Sequence, residues 1–106
     1  MKIRVCAENA ALFACLASET RLKIIELLAE HEAMNVSAMA DRLGVSAAIT
    51  TRHVAMMEEC GLLLTETLPA KRGMQKLCRL NVRQITLCLA PADRAKPVLP
   101  PHPPHE

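Results

Sequence analysis

Basic side chains at helical spacing carry the first kind of chemistry in this chain. At about 100° per residue, Ala48, Thr51, Arg52 and Ala55 share one side of a helix, with Ala47 at its margin. That side is small, polar and basic, and it meets no acid until Glu58 and Glu59. Small side chains let a helix lie close to base edges. An arginine reaches guanine or phosphate, and an alanine or threonine methyl touches thymine. Lys71, Arg72 and Lys76 form a second basic group, with no carboxylate between Glu66 and Asp93 to neutralise it. Any amphipathic helix in a small bundle divides in a similar way, so the reading depends on the elements that hold these residues.

Thiols carry the second kind. The five cysteines lack zinc-ribbon or CxxC spacing, and an odd number in this pattern reads as mostly reduced thiols in a cytosol. Cys60 falls on an apolar helix side and Cys78 alternates in step with Leu80, so both read as small buried hydrophobes. Cys6, Cys15 and Cys88 lie nearer the two ends. If the first and last helices form a dimer interface, these thiols could converge there: three thiolates suit a thiophilic metal or metalloid ion and two suit a disulfide. Three unrelated thiols are the plainer reading. His102, His105 and Glu106 could hold a divalent metal, but a solvated tail explains them as well. His53 reads as a core or helix-to-helix hydrogen-bonding residue. No nucleophile with a base, no carboxylate pair on an apolar face and no phosphate loop is evident, and Gly44, Gly61 and Gly73 all serve turns. The chain does not read as an enzyme.

The elements that must position these groups follow from caps and periodicity. Ala7 to Ala17 reads as a first helix with Ala10, Phe13 and Ala14 or Ala17 inward. Ser18 caps a second, Glu19 to about His31, with a stripe of Leu22, Ile25, Leu28 and Ala29 widened by Ile24 and Leu27. Ala33 to Val36 is a connection or a minimal strand. Ser37 caps a short helix, Ala38 to Leu43, and Gly44 takes the left-handed position that ends it. Ser46 caps the next, which runs to Cys60 and stops at Gly61, with Ile49, His53, Met56, Met57 and Cys60 toward the core. Two capped helices joined by so short a turn form a helix-turn-helix, whose second helix enters a major groove. Leu62 to Leu68 and Lys76 to Leu80 then read as strands around a basic tip, Ala70 to Gln75: a hairpin of the kind called a wing. Asn81 caps a last helix, Val82 to about Ala90.

Composition agrees with a helical core. The 106 residues suit one domain, spanning 1–90, and they are 51% hydrophobic with a single aromatic, Phe13. Leu, Ile, Val, Ala and Met must fill the interior, which favours helices over a β-sandwich. The net charge of only +2 leaves any nucleic-acid affinity to local placement of Arg and Lys. Six of the seven prolines lie in 91–106, which reads as a disordered tail. Met1 to Ala17 loosely imitates a signal peptide, but Glu8 and Asn9 interrupt the apolar run, so a cytoplasmic location is expected. No apolar stretch is long enough to span a bilayer.

The fold class expected is therefore mainly α, a winged helix-turn-helix of about five helices plus a two-stranded β-hairpin. The residues also resemble one family. LASETRLKIIELL (Leu16 to Leu28) and SAAITTRHVAMMEECGLL (Ser46 to Leu63) are similar to two motifs of the ArsR-type bacterial transcriptional repressors. The likeness covers about residues 10 to 90. The second motif is shared with other winged-helix families, and Thr20-Arg21-Leu22 in the first favours ArsR-type. The resemblance implies a homodimer, built from the first and last helices, on a palindromic operator. It implies duplex contacts from Ser46, Ala47, Ala48, Thr51 and Arg52 and from Lys71, Arg72 and Lys76. Metal-sensing members often carry a Cys-x-Cys pair near the helix before the turn, where this chain has Met34 to Met39 without cysteine. Others use Asp and His on the last helix, where this chain has Arg83, Gln84 and Cys88. Neither site carries over. Two alternatives accompany the regulator reading: a metal, metalloid or redox sensor using Cys6, Cys15 and Cys88, and a protein-interaction module that keeps the fold without binding DNA.

Overall fold

The computed structural model describes residues 1–90. The expected tail, with His102, His105 and Glu106, lies outside them. The chain runs β1 (Lys2–Arg4), a short 3-10 turn (Ala7–Asn9), α1 (Ala10–Leu16), α2 (Glu19–Glu30) and β2 (Met34–Asn35). It continues through α3 (Val36–Leu43), α4 (Ala47–Glu59), β3 (Leu63–Pro69), β4 (Met74–Leu80) and β5 (Thr86–Cys88). No helix among the described residues is long and apolar enough to cross a membrane.

Caps set most helix ends. Ser18 accepts from the Arg21 N–H at the start of α2, and Ser46 accepts from the Ile49 N–H at the start of α4. Gly44 closes α3 at φ 70°, a left-handed conformation that costs glycine nothing. The start of α3 differs from the expectation. Its N-cap is Asn35, not Ser37, because the Asn35 Oδ1 accepts from the Ala38 N–H at 2.7 Å. Pairing of Met34 and Asn35 with Cys78 and Leu77 extends the chain up to that point, so the helix starts at once.

The sheet is three-stranded, in the order β2-β4-β3, all antiparallel. β3 and β4 form the expected hairpin, from Leu63 opposite Leu80 to Pro69 opposite Met74. The tip closes with Ala70 N–H donating to the Gly73 carbonyl at 2.9 Å, and Gly73 takes φ 70°.

The core gathers Leu12 and Cys15 from α1, Ile24 and Leu28 from α2, Val36 and Met39 from α3, and Val54 and Met57 from α4. Leu62, Leu63 and Cys78 complete it. Three expected faces are corrected. On α1 the buried residues are Leu12 and Cys15, with Phe13 half-buried. On α2 the stripe centres on Ile24 and Leu28, while Leu22 and Ala29 are exposed. On α4 the buried line is Thr50, Val54 and Met57, and Ile49 and Met56 stay exposed at 45% and 44%. Thr50, outside the expected core face, is fully buried. Its hydroxyl donates to the Ser46 carbonyl at 2.9 Å, so it enters the core with its hydrogen bond already made.

The expected last helix is absent, leaving four α-helices among the described residues. β5 instead pairs in parallel with β1, placing Thr86 beside Lys2 and Cys88 beside Arg4. The amino group of Met1 donates to the Gln84 carbonyl at 2.7 Å, and the Val5 N–H donates to the Cys88 carbonyl at 2.8 Å. Asn81 caps no helix: its Nδ2 donates to the Gly61 carbonyl. A helix this short is marginal alone, and β-branched Val82, Ile85 and Thr86 accept the extended chain that β1 offers.

Candidate nucleic-acid interface

Turned into the core by Thr50, Val54 and Met57, α4 presents Ala47, Ala48, Thr51, Arg52 and Ala55 outward, all exposed. That is the side chosen from the sequence. Ser46, at its start, is exposed as well. The hairpin stands beside it, and between them lies an open cleft of about 630 Å³. Ala47 and Thr51 form one wall, and Lys71, Arg72 and Lys76 line the side of the hairpin. Residues twenty or more positions apart thus share one concave surface. Ala48 and Arg52 do not line it. They lie roughly 100° further round α4, on the flank away from the wing.

The charges divide by partner. Lys71 and Arg72 at the tip are exposed and belong to no ion pair among the described residues. Arg52 is likewise exposed and unpaired among those residues. Lys76 differs: its Nζ lies 3.7 Å from Glu58 Oε1 on α4, and Thr65 on β3 donates to the same carboxylate. The acid that ends the basic side of α4 therefore ties the helix to its wing, and Lys76 is partly spent in that tie.

Sequence reasoning missed several members of the cleft. Asn35, Ser37 and Gln75 line it too. Asn35 works twice, since its Oδ1 caps α3 while its Nδ2 donates to Gln75 Oε1 on β4 at 3.1 Å. An Asn one residue before an apolar helical run was a readable cap signal. Its reach across forty residues to Gln75 was not.

Behind α4, Arg21 joins three helices. Its Nε donates to the Cys15 carbonyl at 2.7 Å and its Nη2 to the Ala14 carbonyl at 3.0 Å, satisfying the open end of α1. Its Nη1 lies 3.2 Å from His53 Nδ1 on α4. Guanidinium only donates, so Nδ1 accepts and the imidazole is neutral with its proton on Nε2. Burial, and then the Arg21 charge, hold the His53 pKa below its usual 6.5. The expected helix-to-helix hydrogen bond of His53 is present.

The thiols are arranged differently from the expectation. Within the chain no three His, Cys, Asp or Glu side chains among the described residues gather to hold a metal ion. Cys6, partly buried, has Asn9 Nδ2 3.7 Å from its sulfur, and Cys88 lies on β5. The thiol neighbour of buried Cys15 is Cys60, not Cys6 or Cys88. Cys60, expected as a small buried hydrophobe, is only partly buried, whereas Cys78 is fully buried, and burial pushes its pKa up to about 11.

Comparisons with known proteins agree with this architecture. A family model described as a helix-turn-helix domain matches residues 16–66. Reduced HlyU from Vibrio cholerae is 25% identical with a TM-score of 0.60, covering 72% of this chain and 75% of that one. An ArsR-like transcriptional regulator from a Rhodococcus species is 32% identical with a TM-score of 0.54, covering 70% and 63%. NolR from Sinorhizobium fredii, at 22% identity and a TM-score of 0.56, covers 69% and 68% and shares the fold. No curated protein matches the chain. With two capped helices, a short turn closed by Gly44 and a hairpin standing beside the second helix, the chain has a winged helix-turn-helix fold, similar to that of the ArsR-like regulator.

Proposed function

We propose that this protein is a DNA-binding transcriptional regulator that acts as a homodimer, and as a repressor, on a palindromic operator. The observation that carries the reading is the cleft joining Ala47 and Thr51 of α4 to Lys71 and Arg72 of the wing. A helix presenting small and polar side chains, flanked by unpaired cations, fits a major groove and its bordering phosphates. Arg52 reads bases or holds phosphate from the far flank of α4. Ser46 and Ala48 approach the groove at the start of the helix. The relatives described as transcriptional regulators support the same reading.

Dimerisation is supported by the terminal ribbon. Met1, Val5, Leu87 and Leu89 on and beside β1 and β5 are exposed apolar residues, and a lone two-stranded parallel ribbon is normally covered. With no last helix among the described residues, the two-fold contact falls to β1 and β5. Selection of bound sequences from a random duplex pool, followed by a salt series, tests the proposal. Arg72→Ala should flatten the log K against log salt slope by roughly 0.9 per lost phosphate contact, about 1.8 for a dimer. Absence of duplex binding at low salt would leave the interaction-module reading in its place.

A further inference from the structure

Cys15 and Cys60 meet where the end of α4 lies against α1. Cys15 is wholly buried. The Cys60 thiol approaches the Ala11 carbonyl at 3.9 Å, and Ala11 sits one helical turn before Cys15. Cys60 packs against the core cluster that contains Cys15, and the two thiols are neighbours there. In front of Cys60 opens a cleft of about 490 Å³, walled by Ala11, Leu12 and Ala14 on one side and by Met56 and Glu59 on the other. One thiol is thus reachable from solvent space, and the second stands directly behind it. Neither belongs to the surface assigned to DNA.

We propose that Cys15 and Cys60 form a dithiol modification site that reacts with small neutral organic disulfides to give an intrachain Cys15–Cys60 bond. In the first step the Cys60 thiolate attacks one sulfur of the small disulfide. That S–S bond breaks, a mixed disulfide forms on Cys60, and a first small thiol leaves with the proton Cys60 gave up. In the second step the Cys15 sulfur attacks the Cys60 sulfur and displaces a second small thiol, which takes the Cys15 proton. Two protein thiols are oxidised and one small disulfide is reduced to two thiols.

Access sets the order of the steps, since only Cys60 opens on the cleft. Burial, and then the neighbouring Cys60, raise the Cys15 pKa to about 11, with Arg21 opposing. Cys15 therefore stays protonated near neutral pH and reacts second, once its electrophile is already beside it. Glu8 and Glu59 line the cleft, which favours a neutral reagent over an anionic one. The product ties α1 to the residue that directly follows α4.

The test uses the full chain in buffers of graded bis(2-hydroxyethyl) disulfide and 2-mercaptoethanol. Unreduced digestion after glutamate releases Cys6, Cys15 and Cys60 on separate peptides, because Glu8, Glu19, Glu59 and Glu66 flank them. The expected product joins peptide 9–19 to peptide 60–66, lighter than their sum by two hydrogen atoms. Cys15→Ala should accumulate the mixed disulfide on Cys60, and Cys60→Ser should give no intrachain bond from Cys15. The unsubstituted chain decides the matter even if Cys15→Ala does not fold. A bond through Cys6, Cys78 or Cys88, a bond between chains, or no bond in fully oxidised buffer would overturn the proposal. None of these readouts involves DNA, so the outcome is independent of the regulator reading.

Discussion

The wing end and the terminal ribbon of this molecule expose opposite chemistries. At the wing end, Arg52, Lys71 and Arg72 stand around small side chains without an ion-pair partner among the described residues. At the ribbon, Leu87 and Leu89 are 54% and 80% exposed, with Met1 and Val5 nearby. Unpaired cations cost little in water and gain from a polyanion that releases counterions. Exposed leucines gain only when another apolar surface covers them. The two regions therefore call for different partners, a duplex for one and a second copy of the chain for the other. They also differ in how they are held. The wing end is fixed by caps and by the Lys76–Glu58 and Asn35–Gln75 ties, and the ribbon by backbone bonds between the chain's first residues and residues 84–88.

The largest effect should come from the ribbon. Leu87→Glu combined with Leu89→Glu places charge where the proposed two-fold contact needs apolar surface. Light scattering should move from twice the chain mass to the chain mass. Affinity for a palindromic duplex should fall by about 10²-fold or more, because the second half-site is no longer delivered by its partner. If mass and affinity stay as they were, the ribbon is not the dimer surface, and the contrast with the wing end loses half its meaning.

A smaller loss is expected at α4. Arg52→Ala should cut discrimination between operator and scrambled duplex by on the order of 1–3 kcal/mol per lost bidentate base contact. Its mass in solution should not change. Equal weakening toward both duplexes would instead assign Arg52 to phosphate, alongside Arg72.

Two changes sharpen the account of how the wing end is held. Asn35→Ala removes the cap of α3 and the strut to Gln75 together, and should lower stability by about 1 kcal/mol or somewhat more. Ser37→Ala, two residues on and exposed, should stay within about 0.5 kcal/mol. Denaturant midpoints measured side by side test the pair. Equal losses would return the cap to Ser37.

The smallest effect is one of pH. The folded pKa of His53 lies below its unfolded value of 6.5. As pH falls below about 6.5, the unfolded chain takes up a proton that the folded chain refuses, so stability declines. Above that value the contribution is fully present. His53→Gln keeps an acceptor for Arg21 without titrating, and should flatten this part of the stability profile. An unchanged profile would mean that the Arg21–His53 contact does not influence folding.

What could be read without coordinates was local. Ser18, Ser46 and Gly44 announce helix ends because a cap acts within three residues of itself. The basic hairpin tip and the outward side of α4 were legible for the same reason: strand alternation, a turn glycine and helical period are properties of short windows. Tertiary structure decided the rest. The roll of α4 turned on Thr50, whose hydroxyl bonds within its own helix and so can be buried like a valine. The fate of 82–88 turned on β1, more than eighty residues away, which offered backbone partners to a segment too short to hold a helix alone. Cys15 was placed beside Cys60 rather than Cys6 or Cys88 by the packing of α1 on the end of α4. Each of these outcomes depends on a partner distant in the chain, and neither periodicity nor propensity contains information about that distance.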